Sequence, residues 1–325
     1  MLHRFVVAGI GKTYPRGVPR PRMADWTAAD LPDLSGTTVV LTGANSGIGL
    51  EATRELAGAG AHVVMACRRV DAAAAAREDV VSEYPAASLT VRELDLADLA
   101  SVRAFAAWAA DSLGPIDVLC NNAGVMAIPR RETADGFERQ FGVNHLGHVA
   151  LTGLLFEQVL AAPDPRVVTH SSGAHARGTI DFEDLHGEAD YDRWAAYARS
   201  KLANLLFAYE LDRRYDDVTS VGCHPGYAAT NLQYRGPEAE GSRLRWLAMK
   251  LANTLLAQSA AAGALPMLYA ATAEDVESGD YLGPGGLLNA RGPPAIQESA
   301  GRSYDETTAE RLWEVSVEAT GVEFP

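Results

Sequence analysis

Between residues 38 and 223, short runs rich in Val, Leu, Ile and Thr alternate with segments of helical pattern, never with a two-residue turn. Strands joined this way have no hairpin available. They must lie parallel, with the intervening helices crossing over the sheet and covering both faces. The strands are expected at Thr38–Thr42, Ala61–Ala66, Ser88–Glu93, Ile116–Cys120, Arg166–His170 and Val218–Cys223. Helices are expected at Gly47–Ala59, Asp71–Tyr84, Asp98 to about Leu113, within Thr133–Leu160, and at Arg193–Tyr215. Asp98 caps the third of these, and Gly114-Pro115 stops it. The reading is therefore an α/β fold with one doubly wound, mostly parallel sheet.

The pattern loosens after Thr230. Residues 231–241 carry Gly, Pro and charge and read as a mobile loop. Ser242–Leu256 and Ser259–Ala271 read as helices, with Pro266 kinking the second or shifting its start. Tyr281-Leu282-Gly283 reads as a last strand and Ser303–Glu318 as a terminal amphipathic helix. No repeat or linker interrupts residues 23–325, so they are taken as one domain, with a nucleotide half at about 36–165 and a catalytic and substrate half at about 166–325. Residues 1–22 are basic and proline-rich in an otherwise acidic chain, and are read as a disordered tail or the product of an upstream start codon.

Net charge is −14 and the pI near 5.0, which disfavours nucleic acid and anionic membranes as partners. The acidity and the scarcity of lysine would suit a salt-adapted or high-GC source. Three widely spaced cysteines, Cys67, Cys120 and Cys223, make neither a disulfide framework nor a zinc pattern, so a reducing cytoplasm is expected. No apolar stretch approaches the roughly 20 residues that span a bilayer. His145 and His148 stand i,i+3 without a third ligand, so packing is expected of them and no metal is invoked. His175 and His224 fall near the expected site with roles left open.

Two motifs carry chemistry. Thr42-Gly43-Ala44-Asn45-Ser46-Gly47-Ile48-Gly49 closes the first strand and opens the first helix. Glycines there clear space for a pyrophosphate at a helix N-terminus, although the Gly-x₃-Gly-x-Gly spacing meets the general dinucleotide fingerprint only loosely. The second strand ends in Cys67-Arg68-Arg69 with no carboxylate before Asp71. An acid at that end grips a ribose 2′-hydroxyl, whereas a guanidinium pairs with a 2′-phosphate, so NADP(H) is expected over NAD(H) with Arg68 as the contact and Arg69 as solvated surface charge. The second motif is Tyr197 with Lys201 four residues on, one turn apart on the same helix face. Lys201 is one of only three lysines among 28 basic residues, so this ammonium is not part of a general lysine surface. A cation there is expected to lower the phenol's pKa and make Tyr197 a general acid/base.

These residues resemble the short-chain dehydrogenase/reductase family over about residues 36–290. The likeness rests on ordered blocks: Thr42–Gly49, Asp95-Leu96, Asn121-Asn122-Ala123-Gly124, Asn144, Ser171-Ser172, Tyr197–Lys201, and Pro225-Gly226 with Thr230. The interval between Ser172 and Tyr197, containing Ile180-Asp181-Phe182 and Asp184-Leu185, is similar to the retinol-dehydrogenase-like group. So are Ala66-Cys67-Arg68, Asn144-His145-Leu146-Gly147-His148 and Ser200-Lys201-Leu202-Ala203-Asn204. Membrane-bound members of that group carry an apolar N-terminal anchor that this sequence does not show, so a soluble cytoplasmic relative is expected.

The resemblance implies a Rossmann-type domain, a C-terminal helical region covering the substrate, and hydride exchange between NADP(H) and a small-molecule carbonyl or alcohol. It implies Asn144, Ser172, Tyr197 and Lys201 as catalytic. Ser172 would hydrogen-bond the substrate oxygen in preference to its rival Ser171, Asn144 would hold a water in the proton path, and Lys201 would hold the nicotinamide ribose and relay the proton. Gly43, Asn45, Ser46, Gly47, Ile48, Gly49 and Arg68 would bind the phosphates. Asp95 and Leu96 would flank the adenine. Asn122, Ala123 and Gly124 would line the ribose, and Pro225, Gly226 and Thr230 the carboxamide. A homodimer or homotetramer built on the helices of Asn144 and Tyr197 is also implied. Trp246, Leu247, Met249 and Leu251 are candidates to line a pocket for a lipophilic substrate. The competing readings are an NADP(H)-sensing binding module, disfavoured by the presence of Tyr197 and Lys201, and reduction of a C=C bond in a tetrapyrrole-like substrate.

Overall fold

A computed structural model describes residues 26–226, 258–286 and 289–325. The extended segments are β1 (Thr38–Thr42), β2 (His62–Cys67), β3 (Ser88–Glu93), β4 (Val118–Asn121), β5 (Arg166–His170), β6 (Thr219–Cys223), β7 (Tyr281–Pro284) and β8 (Pro294–Ile296). They form one sheet in the order β3-β2-β1-β4-β5-β6-β7-β8. Every neighbouring pair is parallel except β7 with β8. The helices that matter for the site are α1 (Gly47–Gly58), α2 (Val70–Glu83), α3 (Leu99–Ser112), α4 (Arg139–Phe141), α5 (Gly147–Leu160), α6 (Arg193–Arg214), α7 (Ala260–Thr272) and α8 (Glu306–Thr320).

The period of two along each strand divides the core. Val39, Leu41, Val63 and Met65 face one side, where α1 and α7 pack, while Val40, Val64, Leu119 and Val167 face the other, under α3 and α5. Both faces are buried, so the strands read as continuous apolar runs instead of alternating ones. Strand order reverses between β1 and β4: the chain builds outward to β3, then returns to the other side of β1. That reversal separates the flanking loops and opens a crevice at the carboxyl ends of the strands, the usual place for a ligand in such a sheet.

Expected and observed boundaries coincide at β1, β3 and β5 and fall within a few residues at most of the others. Differences have local causes. The helix expected within Thr133–Leu160 begins only at Arg139, because Gly136 takes φ +85° and the buried Glu138 carboxylate caps the amides of Gln140 and Phe141. It is then interrupted by a π-helical turn, Gly142–Leu146. Pro266 lies inside α7, which Ser259 caps. The last helix starts after Asp305, which accepts from the Thr308 amide, and a 3₁₀ turn at Gly301–Tyr304 precedes it. β8 was not expected: it is three residues long and begins at a proline, which suits only an edge. Residues 1–22, Thr230, the expected loop 231–241 and Ser242–Leu256, with Trp246, Leu247, Met249 and Leu251, lie outside the described residues.

The crevice is held by one hydroxyl. Thr42, fully buried at the end of β1, receives the amides of Asn122 and Ala123 on its Oγ1 at 2.9 Å each, and lies 2.9 Å from His148 Nε2 on α5. His148 Nδ1 stands 3.0 Å from the Asn144 carbonyl, which can only accept, so the proton sits on Nδ1 and Nε2 accepts from Thr42. Burial lowers the His148 pKa to about 4, which keeps the ring neutral for this role. Thr42→Val keeps the shape but leaves the Ala123 amide and His148 Nε2 unpaired in the interior. Destabilisation on the order of 2–3 kcal/mol is expected in urea unfolding. An unchanged midpoint would show that the hydroxyl carries no such constraint.

Candidate active site

The crevice contains a cavity of about 440 Å³. At one end lies the turn between β1 and α1. Gly43 and Gly47 adopt φ +71° and +55°, conformations that strain any residue with a Cβ. Gly49 is needed for space: a Cβ there would stand 2.3 Å from the Gly43 carbonyl oxygen and 2.8 Å from Asn122 Nδ2. The helix start can therefore lie directly against the turn. Ser46 occupies the N-cap of α1 but makes no side-chain capping bond, so the first amides of the helix lack their usual acceptor and point their partial positive charge at the cavity. Arg68 and Arg69, both exposed at the end of β2, also line it, and neither is held in an ion pair among the described residues. Arg69 is therefore part of the wall, where only Arg68 was expected. Asp95 and Leu96 follow β3 on the same wall, and Asp95 Oδ1 accepts from the Ala97 amide at 3.0 Å.

Asn122, Ala123 and Gly124 form the middle of the cavity. Asn122 Nδ2 donates to the Thr42 carbonyl at 2.8 Å, so this side chain braces β4 against β1. Asn144 stands apart from the other expected catalytic residues. It is fully buried in the π-helical turn and absent from the cavity wall. Its carboxamide accepts from the Val125 amide at 2.8 Å and donates to the Val125 carbonyl and Ser200 Oγ at 2.9 Å each. With both amide hydrogens and one lone pair of the oxygen engaged, this side chain positions the Gly124–Val125 wall. The π turn brings it there, and a helical pattern in sequence does not announce such a turn.

At the far end, α6 delivers Tyr197 and Lys201 to the same wall, 6% and 4% exposed. Asp192 starts this helix by accepting from the amides of Trp194 and Ala195. Lys201 Nζ lies 6.0 Å from the Tyr197 ring centroid and donates to the His170 carbonyl at 3.0 Å. Desolvation governs both groups. It lowers the Lys201 pKa to about 8 and raises that of Tyr197, and the group that draws the phenol back down is the Ser172 hydroxyl bonded to it. Lys201 can act on the phenol only across that 6.0 Å, since its ammonium is held by the His170 carbonyl. Ser171 Oγ donates to the Lys201 carbonyl at 2.7 Å and is fully buried, which leaves Ser172 as the serine facing Tyr197. Pro225 and Gly226 close this end of the cavity.

His145 is buried with Nε2 2.8 Å from Ser316 Oγ on α8, a packing role, and no group of metal-ligating side chains occurs among the described residues. His175 and His224 are likewise built into the fold, His175 Nε2 receiving the Ala300 amide at 3.0 Å and His224 Nε2 lying 3.0 Å from Gln297 Oε1. Sequence reasoning did not find Trp194, Val125, Met126 or His170, all of which line the cavity. Trp194 at i−3 from Tyr197 was the one legible signal among them.

A dinucleotide fits this donor set. Open helix amides and two guanidiniums that could receive phosphate lie at one end, and a buried phenol and amine at the other. The comparisons agree. The short chain dehydrogenase family model matches residues 37–240. Human retinol dehydrogenase 13 is 41% identical over 297 residues, covering 90% of this chain and 87% of that protein. An uncharacterized protein from Mycobacterium paratuberculosis, solved by crystallography, is 42% identical with a TM-score of 0.76, over 92% of this chain and 99% of its own. A structure from Beutenbergia cavernae, described as an NAD(P)-dependent gluconate 5-dehydrogenase with bound NADP, is 26% identical with a TM-score of 0.57, over 74% of this chain and 91% of its own. The chain belongs to the short-chain dehydrogenase family, in its retinol-dehydrogenase-like group, and is an oxidoreductase of carbonyls and alcohols.

Proposed function

We propose that this protein is an NADP(H)-dependent reductase of a lipophilic carbonyl, working reversibly on the corresponding alcohol, with Tyr197 as general acid/base. The observation that carries the reading is the placement of Tyr197, Ser172 and Lys201 in the wall of one cavity whose opposite end presents the α1 amides and Arg68. The amides of Ser46 to Gly49 would hold the pyrophosphate, Arg68 a 2′-phosphate, and Asp95 and Leu96 the adenine end. Asn122, Ala123, Gly124 and Lys201 would hold the nicotinamide ribose, and Pro225 and Gly226 its carboxamide, with Thr230 assigned there by resemblance. The bound NADP of the Beutenbergia protein supports this choice, and so does the absence of a carboxylate at the end of β2. The three buried free thiols support a reducing, cytoplasmic setting.

When bound, the nicotinamide supplies the hydride for reduction or accepts it in oxidation. Ser172 donates a hydrogen bond to the carbonyl oxygen, and Tyr197 gives that oxygen its proton as negative charge develops. Raised by burial, the phenol stays protonated through neutral pH, which suits a donor. In the reverse direction it must lose the proton, and the neighbouring Lys201 ammonium then stabilises the phenolate.

Tyr197→Phe should lower carbonyl reduction by at least about a hundredfold while NADPH affinity stays within a few fold, measured by steady-state kinetics and NADPH fluorescence. Near-normal turnover would remove Tyr197 as the acid. Arg68→Asp should reverse the NADPH/NADH preference, and an unaltered ratio of kcat/KM values would refute the 2′-phosphate assignment. The reduction rate should hold through neutral pH and decline from about pH 8 upward, first as Lys201 loses its proton and then as Tyr197 does. A rate that climbs through that range contradicts proton donation by the phenol.

A further inference from the structure

Trp194 has a large apolar side chain that the protein leaves 54% exposed, and it lines the cavity beside Tyr197. Its ring makes a T-shaped contact with the phenol, centroids 6.3 Å apart and planes at 82°, and more than half of the residue stays open beyond that contact. The same cavity is lined by the apolar side chains of Val125, Met126 and Ala174. Exposed indole surface costs solvation free energy unless something covers it, and an aromatic face is best covered by another flat apolar group.

This end of the cavity is also built to be rigid. The backbone of Trp194 is pinned twice, by Asp192 Oδ1 accepting its amide at 2.9 Å and by Gln140 Nε2 donating to the Arg193 carbonyl at 2.9 Å. The same Gln140 side chain reaches across to Met126's neighbour, its Oε1 accepting the Ala127 amide at 2.7 Å. Gln140 Nε2 further donates to Tyr191, whose hydroxyl lies 2.9 Å from Glu138 Oε1 and 3.1 Å from the Ile128 carbonyl. One fully buried amide therefore sets the separation between the Trp194 side and the Met126 side. Ala127 is held at φ +48°, in the left-handed region that strains a residue with a Cβ. Strain of this kind persists where the surroundings enforce it, and here it turns the chain directly after Met126.

Resting on the reductase reading above, we propose that Trp194 is the specificity-determining residue of the substrate end. Its exposed ring surface is the platform for the flat apolar part, aryl or conjugated, of a carbonyl whose oxygen lies between Ser172 and Tyr197. The i,i+3 spacing supports this: Trp194 sits one turn from the phenol on the same face of α6, so a planar group extending from the reacting carbon reaches the indole directly.

The test compares cinnamaldehyde with propanal at saturating NADPH in the wild type, W194F and W194A. The ratio of kcat/KM for cinnamaldehyde over propanal should fall about tenfold or more in W194A, carried mainly by KM, and stay within about threefold in W194F. The NADPH dissociation constant, read from its fluorescence, should move less than about twofold in either variant. An unchanged ratio in W194A overturns the proposal. Where no carbonyl is turned over by the wild type, the oxidoreductase reading is what fails, and the platform is read by binding instead. Cinnamyl alcohol with NADPH should quench indole emission in the wild type and lose most of that quench in W194F, and equal quench in both sinks the Trp194 assignment.

Discussion

The Thr42 hydroxyl is the constraint on which the site depends. The connections that leave β1 and β4 part where the strand order reverses, and the crevice beyond the paired strand ends has no ladder hydrogen bonds of its own. Thr42 closes that gap by serving β4 through the amides of Asn122 and Ala123 and α5 through His148. The next link is His148 to the Asn144 carbonyl, and the Asn144 carboxamide then fixes Val125 and Ser200. A continuous buried chain of hydrogen bonds thus runs from the nucleotide turn to the helix that carries Tyr197 and Lys201. Each member is neutral, which is how so much polarity is accommodated without a buried charge.

Desolvation then sets the chemistry. The phenol and the amine share a wall that water barely reaches, and burial pushes each toward its uncharged form. The protonated phenol is the form needed to give a proton to a developing alkoxide. Lys201 keeps its ammonium in a low-dielectric setting by donating to the His170 carbonyl, and Asn204 Nδ2 donates to the same oxygen. The cavity is polar and cationic at the end where phosphate would lie and apolar around Trp194, so the two ends select different parts of a ligand pair.

Much of this was legible in the order of residues. β1, β3 and β5 have the expected bounds because they are β-branched or apolar runs closed by turn residues, and Tyr197 with Lys201 share a face because helical spacing alone dictates it. The glycine turn does lie at one end of the cavity, and its glycines serve two purposes: backbone conformation at Gly43 and Gly47, and clearance for the helix at Gly49. The acid-free end of β2 showed Arg68, while Arg69, at the N-cap of α2, lines the same wall.

What the sequence by itself determined is therefore the class of fold, the parallel order imposed by crossover helices, and the residues able to hold phosphate and move a proton. These follow from periodicity and from side-chain chemistry, both local properties. Only the tertiary structure decided that Asn144 braces a wall, that Ser171 is bound to the Lys201 carbonyl while Ser172 meets the phenol, that Lys201 turns to His170, and that Gln140 sets the mouth around Trp194. Each of these depends on which groups far apart in the chain compete for the same hydrogen bond, and that competition exists only once the strands and helices have been brought together.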